Sequence, residues 1–327
     1  MKKTFFILTA IAIFYSCKKD GSAPAIVLPL EDNSLPSAAL AGVQVINETA
    51  DYLEYALDMA VFRDSKNIEN QLKAENFLND TLISGSISYY FTLKDLDFIN
   101  GSSETPYSAV MLMDQSGSII TSDPSDFRLD AASVFCRNLG AGDDVSLWSF
   151  QGSGYTQLTP FIRDTSVLLP AINDLDGKEG SGTPLYYSQY NTTGFCATNA
   201  TNANRAVMTF TDGVNTTSST TSQQVIDNAL AKNIKLYNIG LGEAETAELT
   251  RQALATNGAF MFAEDARQLI SVFGNLGKML NKSATYYHTV WRVSKSSGTF
   301  TSGTLSFYVT IALPYGGTVT VPFAIEY

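Results

Sequence analysis

Between residues 105 and 282 the chain carries five short apolar runs: 109–113, 145–150, 206–210, 234–239 and 259–262. Runs of this kind, with no polar alternation, fit strands covered on both faces. Amphipathic segments alternate with them. The clearest sets Leu269, Val272, Phe273, Leu276 and Leu280 at helical spacing. Alternating strands and helices predict a doubly wound α/β domain over 105–282, with a mostly parallel sheet.

The pattern changes on either side. Ile83, Gly85, Ile87, Tyr89, Phe91 and Leu93 alternate with polar residues, the mark of a half-buried strand. Tyr287, Thr289, Trp291 and Val293 repeat that period, as do Leu305–Leu313 and Val319–Ile325. A two- or three-stranded ribbon is barely stable alone, so strands before and after the α/β region are expected to pair. The economical arrangement is a small antiparallel β unit, a split sheet or sandwich of 81–104 with 283–327, into which the α/β domain is inserted. Over 39–80, Ile46, Ala50, Leu53, Leu57, Ala60 and Val61 share one face at i, i+3/i+4 spacing. That spacing predicts a helical segment. Its polar face carries several acids and little base, which favours packing on its own domain over a membrane surface.

The first residues read as an address. Met1-Lys2-Lys3 precedes the apolar run Thr4–Tyr15 and then Ser16-Cys17. The run is too short to span about 30 Å of hydrocarbon, and the pattern predicts a secretory signal at 1–16. A flexible tether rich in Pro, Ser, Asp and Lys follows at 17–38. The junction resembles the lipoprotein signals of Bacteroidota, with Cys17 in the position of the lipidated cysteine. The resemblance implies a chain held on a membrane by acyl groups, in the cell envelope and at the outer membrane, and projecting into an oxidising space. It leaves the periplasmic and surface sides both open.

Composition removes several classes. Twenty-one Lys and Arg against 32 Asp and Glu give a formal charge of −11, so nucleic acid is not an expected partner. The single histidine, His288, rules out a multi-His zinc site, and three cysteines rule out a disulfide-dense scaffold.

In doubly wound sheets, ligands bind beyond the carboxyl ends of the strands. Asp114-Gln115-Ser116-Gly117-Ser118 follows the first apolar run, and Thr211-Asp212-Gly213 follows the third. Between them, "GTPLY" places Thr183 ahead of a short helix. Small oxygen-bearing side chains thus occupy three loops at what should be one end of the sheet. Helix capping explains Ser and Asp singly, but it does not require all three loops at once.

This three-part pattern, "DQSGS…GTPLY…TDG", resembles the metal-ion-dependent adhesion site of a von Willebrand factor type A domain, and 105–282 resembles that domain. The resemblance implies Asp114, Ser116, Ser118, Thr183 and Asp212 as metal ligands, Mg²⁺ as the ion with Mn²⁺ as an alternative, and an Asp or Glu carboxylate of a protein partner as a further ligand. The chemistry agrees. Mg²⁺ prefers six oxygens at about 2.0–2.1 Å. Neutral hydroxyls supply oxygen without charge, so the ion still attracts an anion. A binding module rather than an enzyme is expected, because no motif names a reaction. His288 sits in a strand pattern, and Glu243, Glu245 and Glu248 read as acids of a helix's first turn. Two alternatives use the same site: an assembly or scaffold subunit, and a Mg²⁺-dependent hydrolase. The segments 197–204 and 215–224 look low in complexity and read as polar loops, the second lying close to the metal end.

Two cysteines remain. In the resembling fold the strands near Cys136 and Cys196 are neighbours, which implies that their sulfurs meet in a disulfide. Two free thiols, with Cys136 buried on its helix, are the alternative.

Overall fold

The computed structural model describes residues 35–327, apart from 64–65, 69–70, 79–80, 103 and 315. The expected signal segment, Cys17 and most of the tether lie outside the described residues. In chain order the strands and helices are β1 (Ser37–Glu48), β2 (Tyr52–Arg63), β3 (Lys66–Asn67), β4 (Phe77–Leu78), β5 (Leu82–Ser84), β6 (Ile87–Ile99), β7 (Tyr107–Asp114), α1 (Ile119–Ser122), α2 (Phe127–Arg137), β8 (Asp144–Gln151), β9 (Gly154–Gln157), α3 (Thr165–Asn173), α4 (Leu185–Asn199), β10 (Asn204–Thr211), α5 (Ser222–Lys232), β11 (Lys235–Leu241), α6 (Thr246–Ala255), β12 (Ala259–Ala263), α7 (Gln268–Leu280), β13 (Tyr286–Lys295), β14 (Thr304–Ala312) and β15 (Thr318–Glu326). Among the described residues no helix is long and apolar enough to cross a membrane.

The five apolar runs form β7, β8, β10, β11 and β12, all parallel, in the spatial order β12-β11-β10-β7-β8. β7 shows why both faces are apolar. Ala109, Met111 and Met113 point into a core shared with α2, α3 and α7. Val110 and Leu112 point into a second core with α4, α5 and α6. The α/β expectation holds, with helices on both faces of a largely parallel sheet.

The sheet does not stop at β12. It continues antiparallel through β1, β2, β13 and β6 to β5. β6 and β13 pair, with Trp291 opposite Leu93 and also opposite Tyr55 of β2. β14 and β15, with β4, form a separate three-stranded sheet. It packs on one face of the antiparallel half around Tyr55, Leu57, Trp291, Phe307 and Phe323. The strand patterns at 83–93 and 305–325 therefore fall in two stacked sheets.

The helical segment expected at 39–80 is corrected: most of 37–63 is a β-hairpin, β1 and β2. β2 satisfies both periods. Leu53 and Leu57 are four apart, yet they also share a strand face with Tyr55, Met59 and Val61, and all five are buried. Bulges between Leu40 and Gly42 and between Val45 and Asn47 shift the alternation of β1. The turn closes where Thr49 N–H donates to the Tyr52 carbonyl at 2.9 Å and Tyr52 N–H donates to the Thr49 hydroxyl at 3.0 Å. Tertiary packing decides for the strand.

The expected disulfide is corrected too. Cys136 and Cys196 are free, buried thiols. Cys136 lies in the core with Ala109 and Met111, and Cys196 in the core with Val110 and Leu112. The sheet stands between them.

Candidate metal site at the ends of β7 and β10

The site follows from the register of two neighbouring parallel strands. Met113 of β7 lies opposite Phe210 of β10, so Asp114 and Asp212 leave the sheet at the same end. Asp114 is fully buried, and its Oδ1 accepts the N–H of Ser116 at 2.7 Å. Its Oδ2 accepts the hydroxyl of Thr211 at 2.6 Å. Ser116 Oγ and Ser118 Oγ are hydrogen-bonded at 3.1 Å. Ser118 donates to Asp212 Oδ1 at 2.8 Å, and Ser122 donates to Asp212 Oδ2 at 2.5 Å. The hydroxyls of Ser116 and Ser118 thus form one bonded row to Asp212, with Ser122 on its other oxygen, and the Ser116 N–H ties Asp114 to that row. The row meets solvent at Ser118, which is exposed.

Thr183 joins this group through the main chain. A bridge links Ser116 to Gly180, and Gly180 N–H donates to the Gln115 carbonyl at 2.8 Å. This sets the loop carrying Thr183 beside the first one. The Thr183 side chain is buried at 6 % exposure.

Burial pushes the Asp114 carboxyl up to about 7; its bonds to Thr211 and Ser116 oppose this and the nearby Asp212 adds to it. A carboxylate held out of water favours a cation beside it. Two carboxylates with serine and threonine hydroxyls make an all-oxygen donor set suited to a hard divalent ion. Among the described residues no cluster of three or more His, Cys, Asp or Glu is placed to hold a metal ion.

Behind the row sits a buried arginine that sequence reasoning missed. Arg128 of α2 is fully buried. Its guanidinium donates to Gln115 Oε1 at 2.8 Å, to Asp126 Oδ1 at 2.5 Å, to Asp123 Oδ2 at 3.2 Å and to Glu179. Asp123 also caps α2, accepting the N–H groups of Phe127 and Arg128. One side chain therefore ties the loop after β7, the start of α2 and the segment before Gly180. Thr211 and Ser122 were missed as well. Their only signal was position: Thr211 ends a strand beside Asp114, and Ser122 lies one turn beyond Ser118.

Of the groups set aside as catalytic candidates, His288 stands in another part of the sheet, and Glu245 and Glu248 are held by neighbouring side chains. His288 Nδ1 is 2.7 Å from Asp58 Oδ1 in the antiparallel half of the sheet. Glu248 pairs with Arg251, and Glu245 accepts the Tyr186 hydroxyl at 2.7 Å.

A family model of the von Willebrand factor type A domain matches residues 109–275, half of the chain, and the chain belongs to that family. Such domains are a protein-interaction and adhesion fold and are mostly non-catalytic. The von Willebrand factor type A structure from Catenulispora acidiphila is 11% identical, covering 89% of this chain and 74% of that one, with a TM-score of 0.46. The ArnB paralog VWA2 from Sulfolobus acidocaldarius is 14% identical over 89% of this chain and 75% of that one, with a TM-score of 0.43. Proximal thread matrix protein 1 from the mussel byssus, solved with zinc in its MIDAS motif, is 14% identical with a TM-score of 0.47. There the alignment covers 55% of this chain and 49% of that one. No curated protein matches the chain.

Proposed function

We propose that this chain binds a divalent cation, Mg²⁺ with Mn²⁺ as a substitute, through Asp114, Ser116, Ser118, Thr183 and Asp212. The cation takes an Asp or Glu carboxylate of a protein partner, and the chain acts as an adhesion or interaction module. The bonded hydroxyl row from Ser116 to Asp212, tied to Asp114 through the Ser116 N–H, carries the reading. The ion would supply a positive charge that the two carboxylates and three hydroxyls leave open to one more anion. Asp114 and Asp212 supply the charge that holds it, and the hydroxyls orient it. The lipid anchor at Cys17 and a place in the cell envelope belong to the same proposal, as does the absence of turnover.

Capture of partners from a cell-envelope extract tests it. The full chain should retain proteins in Mg²⁺ and release them in chelator, and Asp212→Ala should retain none of them. Identical capture with and without chelator would contradict the reading. For the anchor, Cys17→Ala should move the protein from the membrane to the soluble fraction.

A further inference from the structure

The polar stretch after Asp212 holds the loop of Thr183 in place through three successive side chains. The hydroxyl oxygen of Thr216 accepts the N–H of Thr183 at 2.9 Å, and Thr216 N–H donates to the Thr183 carbonyl at 3.0 Å. Asn215 Oδ1 accepts the N–H of Tyr186 in the first turn of α4 at 3.2 Å. The Thr217 hydroxyl donates to the Gly152 carbonyl in the β8–β9 turn at 2.9 Å. That same turn donates the N–H of Gly152 to the Ser181 carbonyl at 2.5 Å.

The fit is tight. Gly182 has φ +83°, and a Cβ there would lie 2.4 Å from the Gly152 oxygen and 2.9 Å from Thr217 Cγ2. Thr216 and Thr217 are themselves exposed, so they add little to the core. Thr216 bonds the segment that carries Thr183, and Thr217 bonds the β8–β9 turn that holds Ser181 of that segment.

We propose that Asn215-Thr216-Thr217 is a strap that positions Thr183 for the metal, with Thr216 as its central positioning residue. It rests on the metal reading above. The strap begins three residues after Asp212, so the third loop of the site sets the second. Within the low-complexity stretch 215–224, the side chains of Asn215, Thr216 and Thr217 each bond a different neighbour. A valine at 216 keeps the shape of threonine and removes the acceptor, and at an exposed position it leaves the fold intact.

The test uses the full chain as wild type, Thr216→Val and Thr216→Ser. Amide hydrogen exchange in chelator reads the strap without metal, and a Mn²⁺ titration followed by electron paramagnetic resonance reads the site. In Thr216→Val the Thr183 amide should exchange about tenfold faster, with β7 and β10 amides unchanged, and Mn²⁺ affinity should fall about tenfold. Thr216→Ser should restore both. Unchanged exchange at Thr183, or Mn²⁺ affinity equal to wild type in Thr216→Val, overturns the proposal alone. A wild-type chain that binds no Mn²⁺ overturns the metal reading and this proposal with it.

Discussion

The Thr211 hydroxyl donates to Asp114 Oδ2 at 2.6 Å, joining the ends of two parallel strands beneath the oxygen row. Both residues are fully buried. Thr211→Val keeps the shape and leaves a buried carboxylate oxygen short of a bond. We expect a loss of about 1–3 kcal/mol in chelator, read from urea unfolding. An unchanged midpoint would show that the bond does not hold Asp114.

Arg128 is a buried cation whose removal strands Asp123 and Glu179. Arg128→Met should destabilise the protein by about 3–5 kcal/mol, because it leaves an uncompensated buried charge. Urea unfolding measures this, and a variant as stable as wild type would contradict the hub described for α2.

The parallel half of the fold was legible because β7 and β10 are apolar runs whose neighbours on both faces are helices. The site loops were legible because Asp114 and Asp212 directly follow those runs. The hairpin of β1 and β2 was not, since Leu53 and Leu57 fit a helix and a strand equally and the bulges of β1 break its alternation. Thr211, Ser122 and Arg128 became visible only with the register of β7 on β10 and the fold of α1 and α2. For the cysteines, the resemblance indicated neighbouring strands but not the face of the sheet, and the face decides.

Cys136 and Cys196 should both be found as thiols. Burial pushes each up to about 12, and neither should react with iodoacetamide in the native protein at about pH 8. Both should react after denaturation without reductant. Unreactive sulfurs under those conditions would revive the bridge.

The same shifts give a pH dependence. An unfolded thiol ionises near about 8.5, so above that the folded chain holds more protons than the unfolded one. The thiols' contribution is complete below about pH 8.5 and is lost as pH rises toward the folded values. The thermal midpoint should therefore fall between about pH 8 and pH 10.5, and a flat profile would contradict burial of both groups.

Titration of the metal-stripped full chain with Mg²⁺ in a calorimeter reads cation binding at Asp114 and Asp212. Asp114→Ala and Asp212→Ala each remove a negative charge from the oxygen row. Wild type should bind Mg²⁺, and each variant should bind at least about tenfold more weakly, since a lost charge partner costs more than about 1.4 kcal/mol. Equal affinity in wild type and both variants would contradict the metal reading.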